Sequence, residues 1–547
     1  MTSLTSGLRA TDQLGRDALT VLQPGFPGTT APEWLLRLIG EGLSGVGLFG
    51  RNIATPGQLT ALTAQLRAER DDILVAIDEE SGDVTRLEVR DGSSFPGNYA
   101  LGVVDDTDLT REVARELGRR LAACGVDFNW APSADVNSNP DNPVIGVRSF
   151  GADSALAARH TVAYVEGLQS SGVAACVKHF PGHGDTNVDS HHAMPRIDAD
   201  LDTLHARELP PFREAIAAGS KAVMSAHILL PALDSERPAT LSPQILTGLL
   251  REELGFGGLI VTDGMEMQAI SSVYGIERGS VLAIAAGADA ICVGGGLCDE
   301  DTVLRLRDAL VQAVRDGDLP EERLADAAAR VRDLADWTRT ARGALAEPGA
   351  QSQEGTAHGT GHTAGTGHVS GAGRDGLRVD LDRADLADIG LVAARRAIRV
   401  TRGEGPFEPV TSAPYVAAFA PEANIAVGDE TPWGVAPALA EMLPGTTTGT
   451  YTDSGSGEPG ENEALVGNVL GKAGDRRIVA VVRDVHRHPW MAAALDALIA
   501  ARPDTVVVEM GVNRAEPRGA LHIATHGAAR VCGRAAAEVI TGKDAGA

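Results

Sequence analysis

Residues 178 to 192 read Lys-His-Phe-Pro-Gly-His-Gly-Asp-Thr-Asn-Val-Asp-Ser-His-His, so one short segment holds four of the chain's fourteen histidines, two carboxylates and a lysine. Imidazole is the side chain whose ordinary pKa lies near neutrality, which equips such a segment for proton transfer. Asp189 and His191 are separated by one residue, and on an extended loop their side chains project to the same side. A carboxylate beside an imidazole fixes its tautomer and favours the imidazolium, as a general acid/base requires. For an isolated Asp-x-His the plain alternative is a loop-stabilising hydrogen bond, but the density of titratable neighbours points to chemistry.

A metal site is a second reading of the same residues. His179, His183, His191 and Asp185 are ligand types, and His227 is a further candidate. Pro181 and Gly182 break helical presentation of His179 and His183, however. Asp263 offers different chemistry. It follows the apolar run Leu259–Thr262 and precedes Gly264, so it is either a cap for the next helix or, beside an acid/base, a nucleophile.

These residues sit at the ends of apolar runs. Candidate strands are Val46–Phe49, Ile73–Ile77, Val126–Ala131, Val173–Val177, Ala222–Ala226, Leu259–Thr262 and Ala290–Val293, alternating with amphipathic stretches at 109–123, 155–170, 204–218 and 243–254. That alternation implies right-handed βαβ units and a parallel sheet. The expected fold class is α/β, with an N-terminal (β/α)₈-type TIM barrel over residues 1–344. Barrel chemistry lies at the carboxyl ends of the strands, where the sequence places Asp78-Glu79-Glu80, Lys178-His179, His227 and Asp263. A doubly wound sheet is the rival, but no glycine fingerprint follows an early strand.

Residues 345–377 are rich in Gly, Thr and His and read as a linker, whose His358, His362 and His368 have spacing too loose to order a metal site. A second βα series over 378–547 predicts a separate C-terminal α/β domain. Its candidate strands are Tyr415–Ala420, Ile478–Val482 and Thr505–Val508, with a closing helix over 527–541. The Thr/Gly/Ser-rich stretch 446–463 reads as a loop, and Val485–Trp490 as a surface loop.

Formal charge is −26 with no run of Lys/Arg, which argues against a nucleic-acid partner. No stretch approaches the roughly 18 apolar residues of a membrane span, and residues 1–17 lack the apolar core of a secretory signal. Five scattered cysteines suit free thiols in a reducing compartment. A soluble, cytoplasmic protein is expected, with its oligomeric state unreadable.

Four motifs carry a resemblance. The segment from Lys178 to Thr186 followed by Asp189-Ser190-His191 resembles the signature of β-N-acetylglucosaminidases of glycoside hydrolase family 3. Asp78-Glu79-Glu80-Ser81-Gly82 with Arg86-Leu87, Val144-Ile145-Gly146 with Arg148-Ser149-Phe150-Gly151, and Val261-Thr262-Asp263 with Met265 and Met267 resemble further segments of that family, in order, over residues 16–340. The resemblance implies a retaining exo-β-N-acetylglucosaminidase acting on peptidoglycan-derived muropeptides, without metal or organic cofactor. Asp263 would be the nucleophile and His191 the acid/base held by Asp189, while Asp78, Arg148, Lys178 and His179 would bind the N-acetylglucosamine ring. Ser81 stands where the family commonly has glycine, Gly264 follows the nucleophile, and Glu266 reads as a sugar contact or a helix-start charge. Because an imidazole, unlike a second carboxylate, does not repel anions, inorganic phosphate is an alternative acceptor, giving N-acetylglucosamine 1-phosphate. A sugar-binding protein on a degenerate scaffold would lack Asp263, His191 or Asp189, and all three are present.

Overall fold

The structure is a computed structural model that describes residues 13–190, 193–296, 299–346, 388–421, 427–428, 430–453 and 461–543. Its first part contains β1 (Leu22–Pro24), β2 (Gly45–Leu48), β3 (Leu74–Ile77), β4 (Phe128–Asn129), β5 (Ala174–Phe180), β6 (Ala222–Ser225), β7 (Leu259–Thr262) and β8 (Ile291–Val293). A parallel ladder runs in sequence order from β2 to β7, and β1 pairs in parallel with β8. An isolated bridge between Val261 and Ala290 ties β7 to the approach of β8. Among the described residues, no ladder joins β1 to β2.

The strands are buried on both faces, as expected of a parallel sheet covered by helices. Along β3, Val75 and Ile77 pack into the large core shared with the helices, while Leu74 and Ala76 pack into a second, inner cluster. Phe128, Trp130, Ala174, Cys176, Met224, Val261 and Cys292 extend that inner cluster around the strands. The helix Thr107–Ala123 buries Leu109, Val113, Leu117 and Leu121, a stripe four residues apart that faces the core. Asp106 caps its start through Asp108 N and Leu109 N, both at 3.1 Å. It packs closely on the helix Ser154–Ser170, where a Cβ at Gly167 would overlap the Arg111 carbonyl.

At the amino ends of the strands, buried carboxylates tie the sheet to arginines. Asp127 accepts Val75 N at 2.9 Å and Arg67 at 2.8 Å, and Asp289 accepts Ile260 N at 2.8 Å and Arg323 at 2.6 Å. The carboxyl ends are left open for function.

The second part contains β9 (Arg399–Arg402), β10 (Tyr415–Phe419), β11 (Thr447–Tyr451), β12 (Ile478–Val482), β13 (Val506–Glu509) and β14 (Leu521–Ala524) in one sheet, ordered β11-β10-β12-β13-β14-β9. All pairings are parallel except β14–β9. Val479 and Val481 pack on one face with Leu439, Ala536 and Ile540; Ile478, Ala480 and Val482 pack on the other with Met491, Leu495 and Leu498. The expected loop at 446–463 is corrected at its start, where Thr447–Tyr451 is a strand. It lies at the sheet edge, largely exposed, so threonines suffice and no apolar run marks it. The closing helix starts at Arg530, three residues later than expected.

The two parts meet over the loop after β3. Asp83 accepts Arg483 and the Ala528 amide (2.8 Å), Arg530 reaches Ser94 Oγ at 2.6 Å, and Arg396 pairs with Asp106 at 2.8 Å. His486 Nε2 donates to Pro140 O at 3.0 Å, so the stretch at 485–490 is a contact with the first part rather than a surface loop.

Candidate active site

A cavity of about 530 Å³ opens at the carboxyl ends of the strands. Asp78, Arg148, Lys178, His179 and Asp263, all picked out in the sequence, line it together. Phe49, Trp130, Met224 and Cys292 add an apolar surface continuous with the inner cluster. Val427, Gly428 and Glu430 bring the second part to its wall.

The charged face comes from a loop, a turn and a strand. Asp78 and Glu80 follow β3, Arg148 ends the single turn Gly146–Arg148, and Lys178 lies on β5. Glu80 is 2 % exposed and takes Arg148 through both oxygens, at 2.9 Å from Nε and 2.6 Å from the terminal nitrogen. Lys178 Nζ stands 2.6 Å from Glu80 Oε1 and 2.5 Å from Asp78 Oδ1. Burial pushes the Glu80 carboxyl up, but Arg148 and Lys178 outweigh it and hold the group well below its usual range. Burial likewise pulls the Lys178 ammonium down, and Asp78 and Glu80 reverse this to a net rise. Two buried cations are thus fixed as charged donors at the cavity wall, a rigid set for hydroxyl or amide oxygens.

Asp135 organises the histidines. Its carboxylate accepts His179 Nδ1 at 2.7 Å, the His183 amide at 2.7 Å and Ser133 Oγ at 2.9 Å. His179 Nε2 faces the Arg148 guanidinium at 3.3 Å, so Nδ1 carries the proton and Nε2 accepts. Burial, and then the nearby His179, bring His183 down to about 4; its Nδ1 lies 3.1 Å from Thr186 Oγ1. The loop approaches residue 136 so closely that a Cβ at Gly184 would overlap the Val136 carbonyl. Arg207 braces its far side through Asp185 and Glu208, both at 2.6 Å.

Asp263 leaves β7 with its amide bonded to Ser225 O at 3.2 Å and its Oδ1 accepting Gly264 N at 2.8 Å. His227 is wholly buried behind it, with Nε2 at 3.0 Å from Gly264 O and Nδ1 at 2.9 Å from Thr240 Oγ1. Nε2 thus holds the turn after Asp263 and Nδ1 ties it to Thr240, so both nitrogens of this metal-ligand candidate are engaged within the protein. Asp189 is partly buried beside Ser190, which lines the cavity. His191, and with it the pairing to Asp189, lies outside the described residues, as do His358, His362 and His368.

Sequence reasoning named Glu79 without a role and missed Asp135 and Glu430. Glu79 accepts Ser81 N at 3.2 Å, Thr85 Oγ1 at 2.9 Å, and the Arg86 and Leu87 amides at 2.8 Å, shaping the loop that carries Asp78 and Glu80. Ser81 turns this loop with φ +68°, a conformation glycine adopts more readily. Asp135 and Glu430 announce themselves by no local pattern; each reaches the site only through the fold.

A pocket with convergent charged groups at the carboxyl ends of a parallel sheet stands where α/β enzymes bind their ligands. Residues 29–334 match the family described as glycosyl hydrolase family 3 N terminal domain, more than half of the chain, and the chain belongs to that family. The Beta-hexosaminidase A of Pseudoalteromonas piscicida is 36% identical over 332 residues, which are 56% of this chain and 55% of that protein. The chain thus spans about half the length of that relative. A Beta-hexosaminidase of Neisseria meningitidis serogroup C is 36% identical over 265 residues, 47% of this chain and 73% of that protein. Among solved structures, a glycoside hydrolase family 3 beta-N-acetylglucosaminidase from Paenibacillus sp. str. FPU-7 superposes with a TM-score of 0.78 at 34% identity, covering 97% of both chains.

Proposed function

We propose that the protein is a retaining exo-β-N-acetylglucosaminidase, releasing N-acetylglucosamine from peptidoglycan-derived muropeptides and related glycosides. The observation that carries this reading is the placement of Asp263 in one cavity with the charge-matched set of Asp78, Arg148, Lys178 and His179. In this reading the first eight strands work as a (β/α)₈ barrel, the second part is an α/β sandwich, and the domains divide at the 345–377 segment. The names of the hexosaminidase relatives and of the Paenibacillus enzyme support the choice of sugar.

Asp263 attacks the anomeric carbon and forms a glycosyl-enzyme, which water then hydrolyses. His191, oriented by Asp189, gives a proton to the leaving oxygen and later takes one from the water. Lys178, Arg148, Asp78 and His179 hold the ring hydroxyls and the amide, so the sugar arrives oriented. Hydrolysis is preferred over phosphorolysis because Arg148 and Lys178 already share Glu80 and Asp78 as counter-ions. A cytoplasmic place in cell-wall recycling belongs to the same proposal.

The test is product analysis of an aryl β-N-acetylglucosaminide with and without phosphate, in EDTA. Free N-acetylglucosamine at a phosphate-independent rate is expected. Sugar 1-phosphate at a phosphate-dependent rate would replace the hydrolase by a phosphorylase, and turnover that returns only with added metal would sink both.

A further inference from the structure

Glu266 lies three residues beyond Asp263 and lines the same cavity. Its carboxyl rests in a cradle of backbone. Oε1 accepts the Gly294 amide at 3.1 Å and the Gly295 amide beside it. A Cβ at Gly295 would stand 2.7 Å from Oε1, and one at Gly264 would stand 3.3 Å from both carboxyl oxygens. Glycine at both positions therefore makes room for this carboxyl. The second oxygen, Oε2, is shut away from solvent and meets no hydrogen-bond partner among the described residues. An oriented acceptor left idle in this way costs stability until a donor arrives. Burial pushes the Glu266 carboxyl up, against the pull of its own backbone amide and of the two glycine amides, and the nearby Asp263 carboxylate adds to the push. A donor at Oε2 would reverse it.

We infer that Glu266 Oε2 accepts the hydrogen bond of the acetamido N–H on C2 of the sugar and so selects 2-acetamido substrates. The inference rests on the glycosidase reading and deepens it. Asp263 must reach C1, and the Glu266 carboxyl packs against Gly264, the very next residue. C1 has two ring neighbours: the ring oxygen, which bears no hydrogen, and C2. The C2 substituent is therefore the ring donor closest to C1. The outer hydroxyls and the acetamido carbonyl fall to the donors at the ends of β3 and β5, which leaves the acetamido N–H for Glu266.

Glu266→Gln tests this cleanly, because the amide oxygen still accepts from Gly294 and Gly295 while an NH₂ group replaces Oε2 and cannot accept. For the 4-nitrophenyl 2-acetamido-2-deoxy-β-glucoside, kcat/KM should fall about 10–100-fold. For the 4-nitrophenyl 2-deoxy-β-glucoside, which lacks the donor, it should stay within about twofold of wild type. An equal loss on both substrates would assign Glu266 to structural support, and no loss on either would show the contact is not made; each overturns the inference. Wild type that turns over neither glycoside would overturn the functional reading along with it, whereas an active wild type beside an indifferent variant overturns this inference alone.

Discussion

Exchanging Glu80 for glutamine strikes the charged wall of the cavity at its centre. The carboxylate is the shared anion of Arg148, held at 2.9 and 2.6 Å, and of Lys178, held at 2.6 Å. Glutamine keeps the shape but has one acceptor oxygen, and its NH₂ group must point at one of the two cations. Stripping a buried cation of its partner costs about 3–5 kcal/mol. Asp78 remains 2.5 Å from Lys178 and offsets part of this, so the low end, about 3 kcal/mol, is expected. In a domain of this size each kcal/mol moves Tm by about 2 °C, which predicts a fall of about 6 °C. The donors also lose their fixed positions, and kcat/KM on an aryl β-N-acetylglucosaminide should drop about 100-fold. Acid provides an internal control. Because Glu80 is held below its ordinary 4.5, its stabilisation is complete above that pH and is lost as pH falls beneath it. The stability gap between wild type and Glu80→Gln should therefore narrow below about pH 4.5, by about 1 kcal/mol for each pH unit. Thermal melts from pH 7 to 3.5, with steady-state kinetics at neutral pH, read both effects. An unchanged Tm, or a gap that stays constant into acid, would refute the reasoning that Glu80 is the ionised hub of this wall.

Asp263→Asn should retain the wild-type melting curve while turnover drops about a thousandfold or more; an active variant would remove Asp263 from the nucleophile's role. Asp189→Asn should lower kcat far more than it raises KM, since it acts on proton transfer, and normal kcat with weakened binding would count against the dyad. His183 is held at about 4 against an ordinary 6.5, so between these values the unfolded chain binds a proton that the folded chain refuses. Stability should fall as pH drops from 6.5 towards 4, by up to about 3 kcal/mol, and His183→Asn should flatten that slope in pH-dependent melts. Parallel curves would contradict it. Asp83→Ala removes the acceptor shared by Arg483 and the Ala528 amide, and calorimetry should show one unfolding transition split into two; a single, unshifted transition would deny the clasp its role.

What the sequence showed, and what it hid, follows from where the information resides. β12 is a continuous apolar run and β5 and β7 open as such runs, because both faces of a parallel strand are covered, and they were legible as such. β1 is Leu-Gln-Pro and β14 is Leu-His-Ile-Ala; each carries a polar residue that its tertiary neighbours bury. β9 is Arg-Val-Thr-Arg with every residue exposed, and only its partner β14 makes it a strand. The site divides the same way. Asp78 and Asp263 follow strand ends and Lys178 interrupts β5 after its apolar start, and a polar residue after an apolar run is conspicuous. Asp135 is 44 positions from the His179 it holds, and Glu80 is 68 positions from Arg148. Such pairs are written in the fold, and no local spacing betrays them.

The loop after β3 faces two ways. Within some twenty residues it presents Asp78 to the cavity, sets Glu80 behind Arg148 and Lys178, and turns Asp83, Glu88 and Ser94 to the second part of the chain. It is a hinge-pin shared by two parts of a machine, so cutting the chain between residues 346 and 388 would not free the first part intact. Severed, the first part would keep Asp78, Arg148, Lys178, His179 and Asp263 but lose Val427, Gly428 and Glu430 from the cavity wall, together with the anvil against which that loop is shaped. An engineer wanting a minimal enzyme would have to redesign residues 81 to 97 before deleting anything, and one wanting a switch could place it there, far from the sugar yet joined to it through five positions of backbone.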